Sequence, residues 1–457
     1  MGTRILHIAD IHYSEKDHDE IKKCMEYMIV QAEQKRPDVI ICSGDVTHSQ
    51  YLGVDTRSAR TIAEQFRRLS DIAPVAVIIG TPSHDGQTPE LLKYVSGKNP
   101  IHVSTVPEQI YLRSQLVNKT VPAHNVFTWM TATDMAGIMI PIDEISMVVT
   151  QIPAPTKEHW QNRQGAETDN QNIAQAMGSI FAGFGEMAKK YQLIPHVLNG
   201  HFSMKGSKIS ETQTLPGTDI AIDTETLSMA QAHLYCLGHI HMNQHYAIPG
   251  QGAKAFHAGS IFRKDFGEQG TEKGFCLHDI CDDNEPDRHE FIQTPTREMI
   301  QIYYDLIKNN DALDETFIQR VCFDMLEKGG DRCPGYWAKV KITVWIDDIR
   351  KINQSALKQA IKEAGADNVI LEINRVRREN SREETILRAE SLVDKVKALA
   401  EHRSQPVPDG ALLMVEMVET LNAADLVRYS KTRLYPDKPV RIGKESDSVN
   451  ENEREVA

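Results

Sequence analysis

The sequence has no Cys-x-x-Cys pair, no apolar run approaching the length of a membrane span and no excess of positive charge, and each absence removes a class of protein. Its seven cysteines (Cys24, Cys42, Cys236, Cys276, Cys281, Cys322 and Cys333) are odd in number. Neither a disulfide framework nor a Cys-ligated zinc is therefore expected, and several of the cysteines lie in apolar runs and read as small buried hydrophobes. The start, Met-Gly-Thr-Arg-Ile-Leu, leads straight into a strand pattern. It lacks the apolar core and cleavage site of a signal peptide, and position 6 is not the Ser or Thr of a myristoylation signal. A cytoplasmic protein with no membrane association is the expectation. The formal net charge of −13 argues against a protein that grips nucleic acid by bulk electrostatics. There is no internal repeat.

What is present is enough chain, 457 residues, for two or three domains, and enough apolar content, 40%, to bury real cores. The first eighty residues alternate strands with helices. Short apolar runs at Ile5–Ala9, Val39–Cys42 and Val75–Ile79 read as strands. Ile21, Cys24, Met25, Met28, Ile29 and Ala32 mark one face of a helix, and Ala59, Ile62, Ala63, Phe66 and Leu69 mark a second. This β-α-β-α-β pattern predicts parallel strands with helices packed outside. Strands then dominate to about residue 300, at Ile145–Ile152, Ile194–Asn199, His233–Leu237, Gln244–Ile248, Lys254–Ala258, Gly274–Ile280 and His289–Thr294. An insertion over roughly 156–192 carries a helix around Ile173–Tyr191. After residue 300, Ala338–Ile346, Gln354–Ala364 and Asn368–Val376 form a β-α-β unit. A charged helix over 381–402, a hinge with Pro406 and Pro408, a helix near 411–429 and a polar, disordered tail from Tyr435 follow.

The residues that carry chemistry sit where strands end. Asp10-Ile-His12 closes the first; residues two apart on a strand point the same way, so a carboxylate and an imidazole can share an ion. Gly44-Asp45 closes the second, where glycine lets the backbone turn sharply. Gly80-Thr-Pro-Ser83-His84-Asp85 closes the third, Gly200-His201 follows Val197–Asn199, and Gly238-His239-Ile-His241 follows Leu234–Leu237. Singly, each is common in solvated loops. Together, in this order, they describe a metal centre, and carboxylates with imidazoles suit Mn²⁺, Fe or Zn²⁺ better than Ca²⁺.

In these motifs the sequence resembles the calcineurin-like metallophosphoesterase superfamily over roughly residues 4–260, and within it the SbcD-type nucleases of DNA break repair. Gly44-Asp-Val-Thr-His48 resembles that family's Gly-Asp-x-x-His, whose last His sits beside the substrate phosphate. Ala258-Gly-Ser-Ile-Phe-Arg-Lys-Asp-Phe-Gly-Glu268 resembles its Pro-Gly-Ser segment and following Asp-Phe-Gly-Glu. The chain after residue 300 resembles its capping domain and partner-binding helices. The resemblance implies an α/β (α+β) fold with a core of two packed mixed sheets flanked by helices. It implies a nuclease domain over 1–295, a capping domain over 296–378, a helical partner-binding region over 379–432 and a disordered tail over 433–457.

It further implies two divalent ions, Mn²⁺ foremost. Asp10, His12, Asp45 and His241 would hold the first, and Asp45 would bridge to a second that His201 and His239 also bind. His84 would contact the scissile phosphate and protonate the leaving oxygen, and His48 would contact the phosphate. One motif departs from the pattern. The family reads Gly-Asn-His-Asp or Gly-Asn-His-Glu, its Asn oxygen binding the second ion; here two residues are inserted and Ser83 precedes His84. Either the altered loop brings this weaker hydroxyl ligand into range or a water substitutes. Two such ions about 4 Å apart can share one water and clamp the phosphoryl oxygens.

Asp85 is expected to cap the next helix, His7 to pack in the core, and His245 and His257 to have no role at the site. Arg263 and Lys264 are candidates for DNA-backbone contact, and Arg375, Arg377 and Arg378 for a patch facing DNA or an acidic partner. The leading expectation is an exonuclease and single-strand endonuclease partnered by an SbcC-like coiled-coil ATPase, with a homodimer among the assemblies allowed. A small-molecule phosphodiesterase or phosphatase on the same core, and a metal-binding scaffold that has lost catalysis, are the competing readings.

Overall fold

The computed structural model describes residues 2–117, 124–136, 140–155, 170–213, 220–281, 286–308, 313, 316–330, 335–377, 386, 388–408 and 410–420. Residues Met1–Arg375 form one compact unit and Val376–Ala457 a second. In the first unit two sheets pack face to face. One has the strand order β15-β14-β1-β2-β3-β4 and the other β12-β13-β11-β8-β7-β5-β6. In the first sheet β1 is Thr3–Ile8, β2 Val39–Cys42, β3 Val75–Ile78, β4 Ile101–Ser104, β14 Gly274–Ile280 and β15 Arg288–Gln293. In the second β5 is Glu108–Val117, β6 His124–Thr131, β7 Ile145–Ile152, β8 His196–His201, β11 Leu234–Gly238, β12 Gln244–Ala247 and β13 Lys254–His257. Strands β1 to β4 run parallel, as the β-α-β pattern predicts, and β14 closes against β1 antiparallel.

Three apolar layers hold this arrangement. Ile5, Val39, Ile41 and Ala76 from one sheet meet Ile110, Met147, Val149, Val197 and Cys236 from the other, forming the core between them. The outer face of the first sheet is covered by helices α1 (His18–Lys35) and α2 (Arg57–Ile72), whose buried residues include Ile21, Met25, Met28, Ile62, Phe66 and Leu69. Thr56 caps α2 by accepting the Ala59 N–H at 3.2 Å. The outer face of the second sheet is covered by the helix Asn170–Ala188, through Met177 and Phe181, and by Thr224–Ser228. The fold class expected from sequence is the one observed.

The hairpin β5–β6 and the edge strand β4 were not among the strands read from sequence. Charged and polar residues such as Glu108, Gln109, Arg113 and Gln115 interrupt the apolar pattern of β5. A third sheet, β16-β17-β18 (Met299–Asp305, Tyr336–Trp345, Ala366–Val376), has its own core with the helices Phe317–Met325 and Gln354–Glu363. It contains the expected β-α-β unit and adds β16 and the first of those helices.

In the second unit the helices are Leu392–His402 and Ala411–Thr420. The helix expected over 381–402 is interrupted: residues 386 and 388 are helical, 389–391 are not, and the Ser391 hydroxyl accepts the Asp394 N–H at 3.0 Å to cap a fresh start at Leu392. Leu413, Met414, Met417 and Val418 are exposed. Residues 381–385, Leu387, Leu421, Ala424 and the tail from Tyr435 lie outside the described residues. Among the described residues no helix is long and apolar enough to cross a membrane.

The two sheets are also tied by polar groups. Ser43, just after β2, donates to Asn199 Oδ1 at 2.7 Å, and the Asn199 amide donates to Gln151 Oε1 at 2.7 Å and the Cys42 carbonyl at 3.3 Å. All of these atoms are buried. Asn199→Leu keeps the volume and strands the partners, at about 1–3 kcal/mol for each orphaned group. Urea denaturation should show a loss of about 2–4 kcal/mol; an unchanged midpoint would contradict this role.

Candidate metal centre

Parallel pairing sets the carboxyl ends of β1 and β2 side by side in one sheet and those of β8 and β11 in the other, with Ile8 opposite Cys42 and Gly238 opposite His201. Beyond the strands the chain stays paired: Asp10 N–H donates to the Gly44 carbonyl at 3.1 Å and His12 N–H to the Asp45 carbonyl at 2.9 Å. Asp10, His12 and Asp45 have φ of 51° and His239 of 85°, four of the seven non-glycine residues with positive φ among those described. Such backbone costs of order 1–3 kcal/mol per residue and persists where the surroundings fix it. Glycine next to these residues is a packing requirement. A Cβ at Gly80 would lie 2.2 Å from the Asp45 backbone nitrogen and Oδ1, and one at Gly44 (φ 86°) would lie 2.7 Å from His201 Nδ1.

These turns assemble three adjoining groups of donor atoms, each within 4.8 Å of one another: Asp10, His12 and His241; Asp10, Asp45 and His201; and His12, His48 and His84. Asp10 is common to the first two. Asp45 lies between them, with Oδ2 3.7 Å from His12 Nε2 and Oδ1 3.5 Å from His201 Nε2. His12 Nε2 and His241 Nε2 face each other at 3.0 Å. The His239 ring sits 5.2 Å from the His201 ring, and its backbone N–H donates to both Asp10 oxygens at 3.0 and 3.1 Å.

The electrostatics follow from burying two carboxylates together. Burial pushes the Asp10 carboxyl up, and the Asp45 charge adds to that push. Burial would raise Asp45 too, but His201, His12 and His84 outweigh it and hold that carboxyl well below the usual range. Burial opposes charge on His201, yet Asp45 carries this imidazole up to about 9. A cluster of acids and imidazoles so balanced fits divalent cations, which replace the imidazole protons and neutralise the carboxylates.

A further layer fixes the imidazoles. His201 Nδ1 donates to the Ser43 carbonyl at 2.7 Å, which aims Nε2 at Asp45. His241 Nδ1 bonds to Glu268 Oε1 at 2.9 Å. Glu268 is itself buried and held by Lys273 Nζ at 3.0 Å and Lys264 N–H at 2.8 Å. Burial would raise Glu268, but His241 and Lys273 bring its carboxyl down to about 2, so it stays ionised. The Asp-Phe-Gly-Glu segment therefore supplies the carboxylate that orients a donor histidine.

Several expectations need correction. Ser83, expected beside the second ion, is exposed. Thr81 is the residue of this loop that reaches the cluster: its N–H donates to Asp45 Oδ1 at 2.6 Å, and its hydroxyl lies 3.3 Å from Asp45 Oδ2 and 3.2 Å from His201 Nε2. A signal for it was present, since it follows Gly80 as Asp45, His201 and His239 follow Gly44, Gly200 and Gly238. Asp85 caps no helix. It is fully buried and accepts from Gly80 N–H at 2.7 Å and Thr47 N–H at 2.8 Å, pinning the two loops together. Burial and the nearby Asp45 push its carboxyl up to about 7.

Arg263 is buried, and its guanidinium donates to the Thr271 and Arg297 carbonyls and to Glu298, so it braces the loop instead of facing a ligand. Lys264 is partly exposed, and its charge helps to depress His12 and His48; burial is the larger cause at both, and brings His48 down to about 4. His84 Nδ1 donates to the His48 carbonyl at 2.8 Å, and its ring lies 4.7 Å from that of His12. His7 and His257 are fully buried, and His245 packs its ring against Phe256. Arg375 and Arg377 are exposed, and Arg378 lies outside the described residues.

Residues 3–243, just over half of the chain, match the calcineurin-like phosphoesterase family, and the chain belongs to it. Among solved structures it is similar to a dimetal phosphatase from Danio rerio. The identity is 10% and the TM-score 0.37, over 63% of this chain and 98% of that one, a likeness too distant to carry an argument.

Thr81→Ala is expected to weaken divalent-ion binding about tenfold, read by calorimetry with Mn²⁺, while Ser83→Ala leaves it unchanged. The reverse pattern would return the role to Ser83.

Proposed function

We propose that the chain is a two-metal phosphodiesterase that cuts DNA, as exonuclease and single-strand endonuclease, with Mn²⁺ as its ion and an SbcC-like coiled-coil ATPase as partner. The observation that carries the hydrolytic part is the convergence of four strand-end motifs on two buried donor groups that share Asp10, one of them including Asp45, with His48 and His84 alongside. Asp10, His12, Asp45 and His241 would hold one ion, and Asp45, His201, His239 and Thr81 the other. When bound, such ions polarise the phosphoryl oxygens and lower the pKa of a water toward neutrality.

The chain's own groups then have distinct tasks. The Asp45 oxygens, one toward each histidine, fix the spacing of the two halves. Glu268 holds His241 in the tautomer whose Nε2 is free to ligate. A carbonyl can only accept, so the bond to His48 places a proton on His84 Nδ1; Nε2 would then carry a proton to the leaving oxygen only from the doubly protonated ring, which becomes neutral as it gives that proton up. Lys264 adds positive charge beside His48, where the diester would lie.

DNA as substrate rests on the resemblance of Gly44–His48 and Ala258–Glu268 to the nuclease motifs and on the chain after residue 300. The partner rests on the same resemblance and on the exposed Leu413, Met414, Met417 and Val418, an adaptable surface of the kind that takes a partner helix. The net charge of −13 favours a small phosphoester instead. The test is a Mn²⁺-dependent assay on labelled duplex, single-stranded and hairpin DNA beside bis-(p-nitrophenyl) phosphate. Cleavage of DNA is expected; turnover of the small ester alone would overturn the nuclease assignment. In the same assay His84→Gln should lose about 10²–10⁴ in kcat at unchanged metal content. Loss of metal in that variant would make His84 a ligand.

A further inference from the structure

The core between the two sheets contains a second set of metal-donor side chains that the strand-end centre does not use. His7 on β1 pairs directly with Cys276 on β14, and His278 follows two residues later. Paired residues, and residues two apart on a strand, share a face. The three side chains therefore converge, and their donor atoms lie within 4.8 Å of one another. His7 and His278 are 0% exposed and Cys276 is 2% exposed. The lack of a Cys-x-x-Cys pair argued against a thiolate zinc site, but these donors come from opposite ends of the sequence and meet only through sheet pairing.

The hydrogen bonds leave lone pairs where a cation would need them. Ser43 gives its one hydroxyl proton to Asn199 Oδ1 at 2.7 Å, so at 2.9 Å from His7 Nε2 it acts as acceptor. That puts the His7 proton on Nε2 and its lone pair on Nδ1, which is buried without a hydrogen-bond partner. His278 Nδ1 lies 3.0 Å from Nδ1 of His289, its β15 neighbour, while His278 Nε2 is buried without a partner. With the proton on His278 Nδ1, donated to His289, Nε2 is a second inward lone pair. Unpartnered buried nitrogens of this kind are expensive. Asn243 Nδ2 donates to Cys276 Sγ at 3.3 Å, a contact that orients the sulfur.

We propose that His7, Cys276 and His278 bind one Zn²⁺-class cation between the sheets, a structural site separate from the strand-end centre. Two imidazoles and a thiolate suit zinc and disfavour Mn²⁺ or Mg²⁺, which prefer oxygen. A cavity of about 330 Å³, bordered by Asn243, His245, Asp287 and His289, reaches Cys276 and His278 and provides a way in. A water from this cavity completes four-coordination. The proposal is independent of the substrate assigned above, because it concerns residues that take no part in turnover.

The test uses the full chain, stripped with chelator, kept in saturating Mn²⁺ and titrated with Co²⁺ as a spectroscopic substitute for zinc. A cobalt–thiolate charge-transfer band in the near ultraviolet should saturate at one equivalent and be displaced by Zn²⁺. Cys276→Ser should abolish the band and remove one zinc per chain, with Mn²⁺-dependent hydrolysis of bis-(p-nitrophenyl) phosphate unchanged. No band in the unsubstituted chain, or a band that survives Cys276→Ser, overturns the site. If Cys276→Ser fails to fold, zinc K-edge absorption of the unsubstituted chain with one equivalent of Zn²⁺ decides. One sulfur with two or three nitrogens supports the proposal, and a shell of oxygen and nitrogen alone overturns it.

Discussion

Two carboxylates, Asp10 and Asp45, are buried side by side at the ends of adjacent parallel strands, and most of the surrounding structure is arranged around their charge. Isolated from water, a pair of like charges is strongly unfavourable unless cations or donors surround it. The chain answers with backbone N–H groups from Thr81 and His239 and with imidazoles from His12, His201 and His241. The same field explains the neighbouring titrations. It carries His201 up to about 9 and adds to the burial that pushes Asp85 up to about 7. Divalent ions relieve this balance where protons only share it.

Geometry imposes a second constraint. Donors on four separate strands can meet only if the chain turns abruptly at each strand end and the turns approach closely. Left-handed backbone at Asp10, His12, Asp45 and His239, and the absence of a Cβ at Gly80, are the local consequences. The sheets supply the rigidity that holds such turns: their inner faces interdigitate through Ile5, Ile41, Val149 and Val197, and Asn199 ties one sheet to the other. Strain at the site is thus supported by packing some distance away from it.

Much of this was legible in the sequence because it is written locally. Apolar runs followed by Gly-Asp or Gly-His mark strand ends that carry donors, and the buried face of α1 follows the helical spacing of Ile21, Cys24, Met25 and Met28. What escaped depends on partners distant in the chain. Arg263 reads as a surface charge until Glu298 and the Arg297 carbonyl are placed beside it. Glu268 reads as part of a motif, but its task is defined by His241 and Lys273. Ser83 draws attention by its adjacency to His84, but distance from the strand end, marked by Gly80, decides that the Thr81 side chain reaches Asp45. The convergence of His7, Cys276 and His278 could not be read at all without the register of β1 against β14.

The central claim, that the strand-end donors form one two-ion centre spanned by Asp45, is tested most directly by anomalous X-ray diffraction from crystals grown with Mn²⁺. Data at the manganese edge should show two peaks about 4 Å apart, one beside Asp10, His12 and His241 and the other beside His201, with Asp45 in contact with both. A single peak, or two peaks that leave Asp45 unligated, would contradict it.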